Sequence, residues 1–125
     1  MKSPVLPLSL LFLTIASAVA QDAAPTPFWI WSSEKPADKE EIYLRKPLTV
    51  PADLKRAVLI ASADNTAQVM INGDKRGFAC ENWEKPIIED ITDRLVPGSD
   101  NVIAAKVSNT GSAAGFLALI TFENN

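Results

Sequence analysis

Turn-forming residues interrupt this chain too often for a long helix to form. Pro36, Pro47, Pro51, Asn72-Gly73, Pro86 and Pro97-Gly98 divide it from Phe28 onward into short segments. The segments between them are rich in Val, Ile, Leu and aromatic residues. Short strands with turn signals roughly every 8–12 residues are the pattern of an antiparallel sandwich or barrel. Nine prolines leave no room for the i, i+3, i+4 stripe of an amphipathic helix.

Taken in order, Phe28-Trp29-Ile30-Trp31 reads as a compact aromatic strand, and Ser32 to Glu40 as a polar, mixed-charge loop. Ile42 to Lys46 alternates and ends at Pro47, and Leu48 to Val50 continues it as far as Pro51; Arg45-Lys46-Pro47 reads as protection of an edge strand. Lys55 to Ala63 is apolar at nearly every position, which predicts a strand buried on both faces. Ala67 to Asn72 is a strand that ends in the Asn72-Gly73 turn, since both residues accept positive φ. Gly77 to Cys80 and Ile87 to Ile91 are short strands, and Thr92 to Leu95 a single helical turn. Asn101 to Ser108 and Gly115 to Glu123 complete a set of seven or eight strands. The expected fold is all-β, an antiparallel β-sandwich or jelly roll.

The first residues have another character. Lys2, the apolar stretch Val5 to Ala16 and the small-x-small tripeptide Ala18-Val19-Ala20 form the pattern of a secretory signal peptide over residues 1–20. The apolar stretch is too short for a membrane span and is interrupted by Pro7. A flexible linker over 21–27 and a β-sandwich domain over 28–125 follow. The product is expected to be secreted or periplasmic, with no membrane insertion after cleavage. Such compartments favour disulfides, yet Cys80 is the one cysteine and has no partner in the chain. It reads as a small buried hydrophobe, with pairing between chains as the alternative.

Composition narrows the function. There is no histidine, so Ser-His-Asp or Cys-His catalysis and His-ligated zinc are excluded. A net charge of -3 speaks against nucleic-acid binding, which needs a basic face.

Several segments recur in a recognisable order. They are Trp29-Ile30-Trp31, Tyr43-Leu44-Arg45-Lys46, Ala61-Ser62-Ala63-Asp64-Asn65 and Val69-Met70-Ile71-Asn72-Gly73. Trp83, Asp90-Ile91-Thr92, Pro97 to Ala104, Asn109 and Ala114-Gly115 follow. As a set, spanning nearly all of Phe28 to Phe122, they resemble the galactose-binding-like jelly-roll domain. That domain is an N-terminal or accessory carbohydrate-binding module of bacterial α-L-rhamnosidases and other glycoside hydrolases. The resemblance implies a sandwich of two antiparallel sheets. Its sugar-binding members use loops at one end, often with calcium, while other members pack beside a catalytic domain without binding sugar. The rhamnosidase arrangement includes a catalytic barrel that this sequence, ending at Asn125, does not contain. A catalytic role is therefore not expected.

The candidate ligand site is Asp64, Asn65 and Trp83, with Asn72 and Glu81 as weaker additions. A carboxylate beside an amide can hydrogen-bond vicinal sugar hydroxyls or coordinate Ca²⁺, and Asp64 and Asn65 are the metal candidates. An exposed Trp83 could stack on a pyranose ring. The expected partner is a saccharide; the alternative is a protein partner in a larger extracellular assembly, docking through Trp29, Trp31 and Tyr43. The same residues also have structural accounts. Asp-Asn and Asn-Gly are ordinary turn chemistry, Trp83 could plug one end of the sandwich, and Trp29 and Trp31 read as core or inter-module contacts. Asp90 and Asp93 could serve as a glycosidase carboxylate pair, but a capping role explains them without chemistry.

Overall fold

Each strand here has a free row of N–H and C=O groups that only a neighbour can satisfy. A computed structural model, describing residues 25–125, shows how they are matched. Residues 1–24, which hold the expected signal peptide and part of the expected linker 21–27, lie outside the described residues. Seven strands form: β1 (Glu41–Thr49), β2 (Leu54–Asp64), β3 (Thr66–Ile71), β4 (Phe78–Cys80), β5 (Ile87–Asp90), β6 (Asp100–Ser108) and β7 (Gly115–Asn124). A 3₁₀ turn spans Thr92–Arg94. The strands make two antiparallel sheets, β1-β6-β3-β4 and β5-β2-β7. This is the expected β-sandwich. Among the described residues, no helix is long and apolar enough to cross a membrane.

The core lies between the sheets. Ala57, Leu59, Ala61 and Ala63 form the inner face of β2, and Val69, Ile71, Ile103, Ala105 and Val107 face them from β3 and β6. The small β2 side chains let the bulkier residues opposite fill the space, as close packing requires. Cys80 is buried in the same core.

Two expectations change, for β2 and for the aromatic segment. β2 is not buried on both faces: Val58 and Ile60, on its outer side, are half-buried, because no layer among the described residues covers that side of the three-stranded sheet. Arg45-Lys46-Pro47 lies on an edge strand as expected, and β1 runs through Pro47 opposite Val102. This is tolerable because β1 is an edge strand, where a missing donor can face away from the sheet. The aromatic segment Phe28–Trp31 pairs only at Ile30, bridged to Phe116, since it has a strand on one side alone.

Opposite the Asp64 end, two asparagines tie the loops together. The Asn72-Gly73 turn forms with positive φ at both residues and is closed by Asp74 N–H donating to Ile71 O at 3.0 Å. Fully buried Asn101 accepts from Asn72 Nδ2 at 2.7 Å and Val96 N–H at 2.8 Å, and donates to Val96 O and Ser99 O, both at 2.9 Å. Replacing Asn101 with Ala strands these partners and is expected to cost about 3 kcal/mol, read from urea unfolding. A loss below about 1 kcal/mol would show that water can replace the network.

Asp90 accepts from Thr92 Oγ1 at 2.5 Å, Thr92 N–H at 3.1 Å and Arg56 Nε at 2.9 Å. The Thr92 hydroxyl, then Arg56, then the Thr92 amide lower its carboxyl to about 2. A carboxylate depressed in the folded state stabilises the fold above its ordinary value of 3.8, and that contribution fades as pH falls through about 2. Asp90→Asn is therefore expected to flatten the fall in urea midpoint between about pH 4 and pH 2. Asp74, also lowered to about 2 by Arg76, is expected to leave a residual slope. An unchanged acid limb in the Asp90 variant would refute this coupling.

Candidate functional site

The end of the β2–β7 ladder, where Asp64 lies opposite Gly115, is where the site forms. Side chains alternate along a strand, so Ser62 and Asp64 both face outward from the sandwich while Ala61 and Ala63 face the core. A cleft of about 320 Å³ opens on this outer side, lined by Trp29, Asp64, Trp83, Ala113, Ala114 and Gly115.

Each wall has a local cause. Trp83 stands at the tip of a turn in which Lys85 N–H donates to Asn82 O at 3.0 Å and Glu84 N–H to Asn82 Oδ1 at 2.9 Å. Ser62 Oγ donates to Trp83 O at 2.9 Å, fastening the turn onto β2. The indole stays 56% exposed, so it does not plug the sandwich. Trp29 lies over Gly115. A Cβ added to that glycine would stand 2.8 Å from Trp29 Cε3, closer than real Cβ atoms approach. Gly115 pairs regularly within a strand, so its missing side chain serves close approach of the ring.

The floor carries one charge. Asp64 Oδ1 accepts from Asn65 Nδ2 at 2.8 Å, and no other side chain among the described residues bonds its carboxylate. The peptide between Asp64 and Asn65 is cis. The Asn65 oxygen points elsewhere: it accepts from Thr110 N–H at 2.7 Å and Thr110 Oγ1 at 2.8 Å, while Asn65 N–H donates to Ser108 O at 3.1 Å. These bonds hold the loop after β6, whose continuation Ala113-Ala114 forms the third wall. Glu40 steadies the same end from beneath, accepting from Ser32 Oγ at 2.6 Å, Trp31 Nε1 at 2.9 Å and Ala37 N–H at 3.0 Å. Those three donors, in that order, lower its pKa.

The structure thus brings Asp64 and Trp83 together. Asn65 is adjacent, but its amide is engaged with Thr110. Asn72 is at the far end of β3, a strand of six residues or roughly 20 Å, with its side chain bound to Arg94 O, Asn101 and Val102 N–H. Glu81 does not line the cleft; it borders a separate hollow beside Thr66 and Cys80. Trp29 is the wall that sequence reasoning assigned to the core or to contacts between modules. The detectable signal was Gly115, a glycine inside a strand, which marks a close approach.

Calcium takes six to eight oxygen ligands. The two Asp64 oxygens are available here, whereas both lone pairs of the Asn65 oxygen already accept from Thr110. Among the described residues, no three acidic or cysteine side chains gather in a metal-binding group.

An antiparallel β-sandwich with an indole-walled cleft at the end of one sheet is the class of module defined so far. No protein-family model matches the chain. It is similar to the α-L-rhamnosidase of Streptomyces avermitilis, with 28% identity over 102 residues, covering 74% of this chain and 10% of the rhamnosidase. The crystal structure of Streptomyces avermitilis α-L-rhamnosidase complexed with L-rhamnose matches with a TM-score of 0.66 and 26% identity, covering 77% of this chain and 10% of that one. The chain spans about a tenth of that enzyme, so it is similar to one small domain of it.

Gly115→Ala is expected to displace the Trp29 ring. In fluorotryptophan-labelled protein, the Trp29 fluorine resonance should shift while that of Trp31 stays put. Alanine is otherwise the better strand residue, so a stability loss would come from the clash. An unmoved Trp29 resonance would mean that ring and glycine are not in contact.

Proposed function

We propose that the chain is a non-catalytic accessory module that binds a saccharide weakly in the Trp29–Asp64–Trp83 cleft. The observation that carries the reading is the pairing of two half-exposed indoles with a carboxylate that has free acceptor sites. An indole face suits the C–H face of a pyranose, and a carboxylate accepts from two neighbouring hydroxyls. The cleft volume suits one or two sugar rings. Similarity to a domain of a rhamnosidase whose structure was solved with L-rhamnose makes L-rhamnose the first sugar to test. A secreted or periplasmic setting, from the leader pattern, would place the module where glycans occur.

The experiment is calorimetric titration with L-rhamnose and a glycan panel, in calcium and in chelator. Trp83→Ala and Asp64→Ala are each expected to weaken binding about tenfold, a loss of about 1.4 kcal/mol. Asn72→Ala should leave affinity within about twofold, since it lies at the opposite end. Tight binding that survives both cleft variants would move the site elsewhere. Absence of glycan binding across the panel would favour the second reading, a packing module. That reading rests on the uncovered outer side of β5-β2-β7, where Ile88, Ile60 and Leu119 align across the sheet.

A further inference from the structure

The two sheets end in β1, β4, β5 and β7, and the first three of these edges resist addition of another strand. β1 carries Lys46 and Pro47, β4 has three residues, and β5 has four with Glu89 among them. β7 differs. It runs for ten residues, and Gly115 to Phe122 holds neither a charge nor a proline. Ile30 N–H donates to Phe116 O at 2.8 Å, and Phe116 N–H donates back to Ile30 O at 3.0 Å. Among the described residues, no other backbone bond reaches the free side of β7. We propose that the free edge of β7 beyond Phe116 is a docking site for an extended segment of a partner protein, apolar at alternate positions with an acidic residue between them. This edge runs away from the cleft, and the proposal does not depend on the saccharide reading.

Backbone geometry fixes the kind of occupant. Phe116 is bonded on the free side, so alternation puts the N–H and C=O of Ala118, Ile120 and Phe122 on that side too. Leu117, Leu119 and Thr121 turn theirs toward β2. The edge therefore offers a straight row of donors and acceptors at every second residue. Another extended backbone matches such a row; a helix, whose own groups are already paired, does not. A strand laid there continues the sheet β5-β2-β7 by one more member.

The space between the sheets fixes the side chains. Ala118, Ile120 and Phe122 face inward but are only half-buried, whereas Ala61, Leu59 and Ala57, opposite them on β2, are fully buried. The core is thus open on the side where β7 and β1 face each other. Two apolar hollows lie along this opening. One, of about 400 Å³, reaches Leu44 and Phe116; the other, of about 240 Å³, reaches Leu48, Ile120 and Phe122. Lys46, Ile103 and Ala118 line both, so the hollows adjoin. Alternate side chains of an added strand point inward at intervals of about 7 Å, and burying apolar ones there drives docking. Lys46 stands where the hollows meet. It is exposed, and among the described residues no carboxylate lies within ion-pair distance of it. Its charge selects an acidic side chain between two apolar ones and disfavours strands that lack one. A second copy of β7 is such a strand, since its inward face carries no acidic residue.

Amide exchange and chemical-shift mapping on the intact chain test the edge. The probe is a capped heptapeptide of alternating threonine and valine, with glutamate replacing the central valine. Without peptide, the Ala118, Ile120 and Phe122 amides should exchange at least about tenfold faster than those of Leu117, Leu119 and Thr121. Near saturation the peptide should slow the first three about tenfold. A peptide with lysine in the central place should bind about tenfold more weakly, and Lys46→Glu, at an exposed position, should reverse the preference. Ala118→Pro removes one donor from the free edge while sparing those that face β2, and should weaken the glutamate peptide about tenfold. Equal affinity for the two peptides, shifts centred away from β7, or no binding at millimolar peptide would each overturn the proposal. So would protection of the three amides that rises with protein concentration in the absence of peptide, which would put a second copy on the edge.

Discussion

The pairing of β2 with β7 is the constraint on which the rest of the structure depends. It runs from Leu54 opposite Asn124 to Asp64 opposite Gly115. Its inner side supplies Ala57, Leu59, Ala61, Ala63 and Phe116 to the core. Its outer side, at the same end, carries Ser62, Asp64 and Gly115. Ser62 holds the Trp83 turn, Gly115 admits the Trp29 ring, and Phe116 anchors Ile30. A one-residue slip in this ladder would turn Asp64 inward and the alanines outward. The core and the cleft are therefore set by one register.

No disulfide braces the molecule, and asparagines tie its loops instead. Asn101 and Asn72 join the turns at one end of the sandwich. Asn109 works at the other: its N–H donates to Glu40 O at 2.8 Å, its Nδ2 to Ala37 O at 3.0 Å, and its Oδ1 accepts from Gly111 N–H at 3.1 Å. A primary amide both donates and accepts, so one side chain can satisfy backbone groups from two loops. The cost is that each such residue tolerates little change. The edges are managed by charge. Lys46 on β1 and Glu89 on β5 lie opposite the inward-facing Ile103 and Leu59, yet both are exposed at the sheet margins, where inward-pointing charges discourage strand addition.

The strands were largely legible because turn residues and alternation are local properties. Asn72-Gly73 carried its own turn, and the apolar run Lys55 to Ala63 marked the central strand. Local reading failed where a neighbour mattered. Val58 and Ile60 looked buried but face a side that nothing among the described residues covers. The aromatic run at Phe28–Trp31 suggested a full strand, whereas one bridge is what the fold supplies. At the site, Asp64 and Trp83 could be picked out as a carboxylate and an indole in loops. The Asn65 amide could not be assigned, because its partner Thr110 is forty-five residues away.

By itself the sequence determined that the chain must be a sandwich of short antiparallel strands without histidine chemistry or an internal disulfide. Those conclusions follow from residue types and their spacing. Only the tertiary structure decided which side chains share a cleft. Trp29, Asp64 and Trp83 come from three separate stretches of chain, and pairing register, together with the space left by Gly115, brings them to one place. Asn65 and Asn72 carry the same chemistry, yet hydrogen bonds to distant backbone commit both to holding the fold.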